Sequence, residues 1–178
     1  RRQDTTAEII TMRRSHVLDR QGYIRLLFRV LLLILAGWIL LTQVFLVTQI
    51  SGNAMFPAVK DGDLAIAFRI QQEYSKDDVV IYTVDGESHI GRVVARATDV
   101  VTLDDSGTLL VNGTAQSGEI LYPTYAKEGL EYPYRVPEGQ VFILGDYRTQ
   151  SEDSRDFGPI PLENVQGKLI TILRRRSL

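Results

Sequence analysis

Residues Val30–Leu41 read VLLLILAGWILL without one polar side chain, and Val44–Val47 continue the run past Thr42 and Gln43. A helix on the surface of a soluble domain keeps a polar face toward water, and this run has none. As an α-helix at about 1.5 Å per residue, residues 30–47 cover roughly 27 Å, close to the ~30 Å hydrocarbon thickness of a bilayer. Residues 30–47 are therefore expected to cross a membrane. Residues 1–29 carry seven arginines against Asp4, Glu8 and Asp19, a net charge of +4. The bias of basic residues toward the cytoplasmic side predicts a cytoplasmic segment 1–29 and an extracytoplasmic part 48–178. Thr48-Gln49-Ile50-Ser51 offers no small-x-small exit, so the expectation is a single-pass signal-anchor and not a cleaved signal peptide. Arg174, Arg175 and Arg176 read as a solvated tail or a lipid-headgroup contact.

The overall charge is -2, which excludes the global cationic field that draws proteins onto nucleic acid. The chain has no cysteine, so disulfides, thiolate zinc sites and a cysteine nucleophile are ruled out. With only two histidines, no metal site and no cofactor are expected.

Beyond the apolar run, short β-rich segments alternate with turn signals, and helical periodicity is almost absent. Strands are predicted at 64–70, 79–84, 89–97, 100–103, 109–111, 141–144 and 168–173. Asp85-Gly86 and Asn112-Gly113 supply the positive-φ positions that two-residue hairpin loops require. The fold class that follows is mainly β: one N-terminal transmembrane helix, then an antiparallel β domain. Residues 118–137, rich in tyrosine and proline and without a period, read as a long loop or insertion over the sheet.

Four segments follow the apolar run in order: Ser51-Gly52-Asn53-Ala54-Met55-Phe56-Pro57, Asp61-Gly62-Asp63, His89-Ile90-Gly91-Arg92-Val93-Val94, and Gly145-Asp146 through Ser151-Glu152-Asp153-Ser154-Arg155-Asp156-Phe157-Gly158. In this order, and with Gln43 and Phe45 at the outer end of the run, the chain resembles the bacterial type I signal peptidases over about residues 25–173. GDYRTQSEDSRDFG is the most specific part. The resemblance implies a β domain of signal peptidase type and a membrane-anchored serine endopeptidase built on a Ser-Lys dyad. A serine hydroxyl becomes a useful nucleophile only when a base takes its proton. A lysine serves as that base when an apolar site lowers its pKa toward neutrality.

Carried over position by position, the nucleophile belongs at Ala54 and the general base at Gly91, and both groups are missing. By the same resemblance Ser151 corresponds to the hydroxyl that orients the lysine, and Asp153 with Arg155 to the pair that holds the surrounding loops. Gly52 permits close approach of a peptide carbonyl, while the backbone N–H of residue 54 could still serve half an oxyanion hole. Ile50 and Ile90 match the walls of the substrate pockets, and Met55, Phe56 and Pro57 are expected near the membrane surface or against substrate. Tyr147 departs from the asparagine usual after Gly-Asp, and Asp61 and Asp63 read as turn formers. His89 shares a strand face with Gly91 and is an alternative base, but it lies two residues, about 6.5 Å, out of register.

The resemblance supports two readings. In the first, the protein is a natural pseudoenzyme with both dyad residues replaced, a non-catalytic peptide-binding chaperone or assembly factor. Its partners would be secreted preproteins or pilin subunits held as extended peptides, membrane lipid, and a sortase, as in the signal-peptidase-like proteins of Gram-positive pilus assembly. In the second, it is a signal peptidase inactivated by a Ser-to-Ala change at position 54. A third class, the self-cleaving repressor-like Ser-Lys domain, fits neither the anchor nor the absence of a DNA-binding helix pair.

Overall fold

The computed structural model describes residues 6–116 and 120–174, with side chains in the N-terminal helix from Gly22 onward. The arginines before Gly22, residues Gly118 and Glu119 of the expected insertion, and Arg175 and Arg176 of the tail lie outside the described side chains. Two units are distinguished, Arg1–Thr42 and Gln43–Leu178.

Helix α1 runs Thr6–Val44. Within it Gly22–Val44 is long and apolar enough to cross a membrane, and its side chains are exposed. The helix ends earlier than the apolar run. Phe45–Val47, expected inside the span, belong to strand β1 (Phe45–Gln49), where Phe45 pairs with Phe68 and Val47 with Ile66 on strand β2 (Leu64–Phe68). A hydropathy sum does not separate these states, whereas the β-branched and aromatic residues after Gln43 favour the pleated one.

The second unit is built of two antiparallel sheets. The larger has the order β1-β2-β11-β3-β4-β9-β10, with β3 at Val79–Val84, β4 at Glu87–Ala95, β9 at Gln140–Leu144, β10 at Ile160–Pro161 and β11 at Val165–Leu173. The smaller is β7-β6-β5-β8, from Thr114–Ala115, Leu109–Val111, Val100–Leu103 and Tyr134–Arg135. Asp85 and Gly86, at φ 50° and 86°, close the β3–β4 hairpin, and Asn112 and Gly113, at 52° and 78°, close β6–β7. The two-residue loop starts β4 at Glu87 and not at His89, because pairing begins directly after it. Strand β11 begins at Val165, ahead of the expected Lys168; a register shift between Val165 and Gly167 interrupts the alternation that marks a strand. Gly167 is required there, since a Cβ would meet the Phe68 carbonyl oxygen at 2.7 Å.

Strands β3 and β4 are covered on both faces. Val80, Tyr82, Val93 and Ile143 pack in one cluster, and Ile81 and Ile90 pack in another with Ile50, Met55 and Val59. A third cluster, around Val101, Val111, Phe142 and Leu144, joins the small sheet to the large one. Leu130, Tyr132 and Tyr134 of the insertion pack on this third cluster, so the expected loop is tied down along much of its length.

Candidate functional site

The segment Ile143–Tyr147, at the end of β9, contacts both positions to which the resemblance assigns the dyad, Gly91 and Ala54. Gly91 on β4 packs against it from one side: a Cβ there would lie 2.5 Å from Ile143 Cγ2, 3.2 Å from the Leu144 oxygen and 3.4 Å from Tyr82 Cε1. Ala54 approaches from the other side, where its carbonyl accepts the Tyr147 N–H at 2.9 Å. Gly145 makes this approach possible, because a Cβ on it would meet Ser151 Cβ at 2.3 Å and the Ala54 oxygen at 2.7 Å. Position 54 holds only a methyl group and position 91 only hydrogen, and the room beside Gly91 is filled by Ile143 and the ring of Tyr82.

Tyr82 and His89 are cross-strand partners, with ring centroids 5.5 Å apart, and Phe157 packs on His89 at 5.1 Å. His89 therefore shares the face of Gly91, as alternation requires, but as the middle ring of an aromatic stack. The Tyr82 hydroxyl is buried without a hydrogen-bond partner among the described residues. Burial first, then the charges of Asp153 and Asp156, push its pKa up, so it stays a neutral phenol.

The loop carrying Ala54 is held by backbone-directed side chains. Asp61 Oδ1 accepts the Gly52 N–H at 2.7 Å, and Asp63 Oδ2 accepts the Lys60 N–H at 3.0 Å, so both aspartates act as turn formers. Gly52 itself is at φ 83°, a conformation that disfavours other residues. The N–H groups of Ser51 and Ala54 make no hydrogen bond among the described residues. Met55, expected near the membrane surface or against substrate, is buried in the core. It is 1% exposed and packs with Ile50, Val59, Ile81 and Ile90, because the turn after Ala54 directs this unbranched side chain into the core. Its neighbours Phe56 and Pro57 are the residues left at the surface.

Ser151, Asp153 and Arg155 form one buried network. Arg155 reaches Asp153 Oδ2 at 2.8 Å with Nη2 and Oδ1 at 2.8 Å with Nε, and the two side chains are 2% and 1% exposed. Ser151 Oγ donates to Asp153 Oδ2 at 2.7 Å. Asp153 also accepts the Gly145 N–H at 3.1 Å and caps the short helix α2 (Ser154–Phe157), in a capping box completed by Asp156. Ser154 Oγ accepts the Ile143 N–H at 2.9 Å, which ties the network to the strand beside Gly91. Arg92 makes a bidentate pair with Asp146 at 2.6 and 2.8 Å, and that hydrogen-bonded carboxylate raises the guanidinium pKa.

Further contacts tie the site to the insertion. Arg148 is fully buried and donates to the Gly145 oxygen, Thr124 Oγ1 and Gln116 Oε1; burial pushes its pKa down to about 10. Lys127 of the insertion bridges the Ser151 oxygen at 2.7 Å and Asp156 at 2.6 Å. Tyr147 stacks between Phe56 at 5.8 Å and Tyr122 at 4.5 Å. The prolines and tyrosines of residues 118–137 were the only signal of these anchoring contacts, since the sequence gives no register for a loop.

A slot of about 380 Å³ opens between Ile50–Ser51 on one wall and Ser88–Ile90 on the other, with Ile81 below. Ile50 and Ile90 both line this space. Among the described residues no cluster of His, Asp or Glu could hold a metal ion.

Residues 22–173 match the family model described as signal peptidase, peptidase S26. A probable thylakoidal processing peptidase 2 of Arabidopsis thaliana is 34% identical over 138 residues, 68% of this chain and 36% of the relative. The signal peptidase I of Bacillus caldolyticus is 28% identical over 136 residues, 67% of this chain and 74% of the relative. A crystal structure of a signal peptidase I from Enterococcus faecalis V583 is 28% identical with a TM-score of 0.47, covering 55% of this chain and 97% of that one. The match spans 36% and 40% of the length of the two thylakoidal relatives. Beyond an apolar helix long enough to cross a membrane, the described residues form a mainly antiparallel β unit. The chain belongs to the signal peptidase, peptidase S26 family.

Proposed function

We propose that this protein is a membrane-anchored, non-catalytic member of its family that binds extended polypeptides without cleaving them. The observation that carries the reading is the pairing of an empty dyad with an open slot: Ala54 has no hydroxyl, Gly91 has no amine, and the space between Ile50 and Ile90 remains. Ser51, on the slot wall, keeps an N–H without a partner among the described residues, which suits backbone pairing with an added strand. Helix residues 30–44 are the anchor, segment 1–29 is cytoplasmic, and the β unit from about residue 48 is extracytoplasmic. The partners in this reading are preproteins or pilin subunits, handed on to a sortase in the second case. Ser151, Asp153 and Arg155 support the loop and take no part in chemistry.

The alternative of an active peptidase disabled only at position 54 requires another base. His89 is the candidate on the correct face, but its ring is held between Tyr82 and Phe157. The test is fluorescence anisotropy of the full chain in detergent micelles with a labelled peptide containing Ala-Gln-Ala, followed by mass spectrometry of the peptide. Saturable binding with intact peptide is expected. Cleaved peptide, or no binding at peptide concentrations up to about 1 mM, contradicts the reading.

A further inference from the structure

A second cavity follows the slot along the same two walls. The first wall lines the slot with Ile50 and Ser51 and the second cavity with Phe56–Ala58; β4 lines the slot with His89 and Ile90 and the second cavity with Arg92. Ala54 and Gly91 stand between the two sets of residues on their respective walls. The second cavity measures about 450 Å³, within the ~300–1,000 Å³ usual for ligand sites, and Ile120–Tyr122 of the insertion close it on the far side. From this geometry we infer that the second cavity receives the part of the bound polypeptide that lies beyond position 54, and that it selects an apolar or aromatic side chain there.

The inference rests on the reading of the slot as a peptide site and adds a second point of recognition to it. Phe56, Pro57, Leu121 and Tyr122 give the cavity apolar and aromatic walls. Leu121 is 72% exposed, a large apolar side chain held at the rim without packing of its own. Arg92 is bidentate with Asp146 and donates again to the Asp77 backbone oxygen at 3.0 Å, so its charge is matched. The Asp77 carboxylate, also on the lining, has no ion-pair partner among the described residues and disfavours an acidic side chain there. Tyr147, packed at a tilt against both Phe56 and Tyr122, ties the first wall to the insertion on the far side. The occupant in this inference is one continuous chain, because the two sets of lining residues follow one another along the same loop and the same strand, on either side of Ala54 and Gly91. A protein that does not cut its ligand keeps the segments on both sides of position 54 joined, so the second contact acts at high effective concentration.

The test compares two synthetic peptides on the full chain in detergent micelles, one ending at Ala-Gln-Ala and one extended by about five residues that include a phenylalanine, a reach of roughly 17 Å. The extended peptide is expected to bind about tenfold tighter or more. In Leu121→Asp it should fall to the affinity of the short peptide, as should an extended peptide with glutamine in place of phenylalanine. Equal affinities for the short and extended peptides overturn the inference while leaving the slot intact. A gain that survives both changes also overturns it, because apolar selection is then absent. Failure of both peptides to bind removes the slot reading and the inference together.

Discussion

Positions 54 and 91 and the loop 151–157 belong to one site, yet they are built in opposite ways. At Ala54 and Gly91 the chain offers no functional group, and beside Gly91 the room is taken by Ile143 and Tyr82. In the loop the polar side chains of Ser151, Asp153, Ser154 and Arg155 are buried and hydrogen-bonded. The contrast teaches that the frame of this site is held by its own folding energetics. A buried ion pair must keep both partners, since removing one leaves an uncompensated charge. A nucleophile and its base answer to no such constraint, so the chemistry can be lost while the frame stays.

The largest expected effect tests the frame. Asp153→Ala leaves Arg155 buried without its carboxylate and removes an acceptor from Ser151 and Gly145, and it should destabilise the protein by about 3–5 kcal/mol, read by chemical denaturation of the full chain in detergent. A loss under about 1 kcal/mol would break the comparison by showing the network to be dispensable.

Gly91→Ala tests the filled side and ranks next. The new methyl group meets Ile143 Cγ2 at 2.5 Å, and overpacking of this kind costs about 1–3 kcal/mol. Combined with Ile143→Ala, which removes that branch, the loss should fall short of the sum of the single losses by about 1 kcal/mol in a double-mutant cycle. Strict additivity would mean that Ile143 does not fill the base position.

Thr124→Val removes the acceptor of a buried Arg148 N–H and should cost about 1–3 kcal/mol. It sharpens the comparison by measuring how far the frame depends on the insertion. The smallest effect belongs to Lys127→Met, where both partners of the ion pair are about a third exposed; ~0.2–1 kcal/mol is expected in the same denaturation experiment.

Much of this was legible in the chain before its fold was known. Val79–Val84, Val100–Leu103 and Leu109–Val111 form strands at the predicted bounds, because β-branched runs closed by Asp-Gly and Asn-Gly leave few alternatives. The four ordered segments pointed to the family, and Ile50 and Ile90 do share a slot. What failed was local. Phe45–Val47 looked like helix because apolar content alone does not distinguish a span from a strand. Met55 looked like surface because its neighbours are, and only the turn geometry sends it inward. The second cavity and the anchoring by Thr124 and Lys127 depend on contacts between an aperiodic insertion and a motif some 25 residues downstream, a pairing that no periodicity encodes.

The central claim is that the site lacks a base as well as a nucleophile. Restoring the hydroxyl alone examines it most directly: Ala54→Ser in the full chain, reconstituted in lipid, incubated with a preprotein whose signal peptide ends in Ala-x-Ala, with products followed by gel and mass spectrometry. The account predicts no cleavage above that of the chain with Ala54. Cleavage at the Ala-x-Ala junction by the single variant would contradict it, because a base would then be present in the site, and His89 would be the side chain to examine.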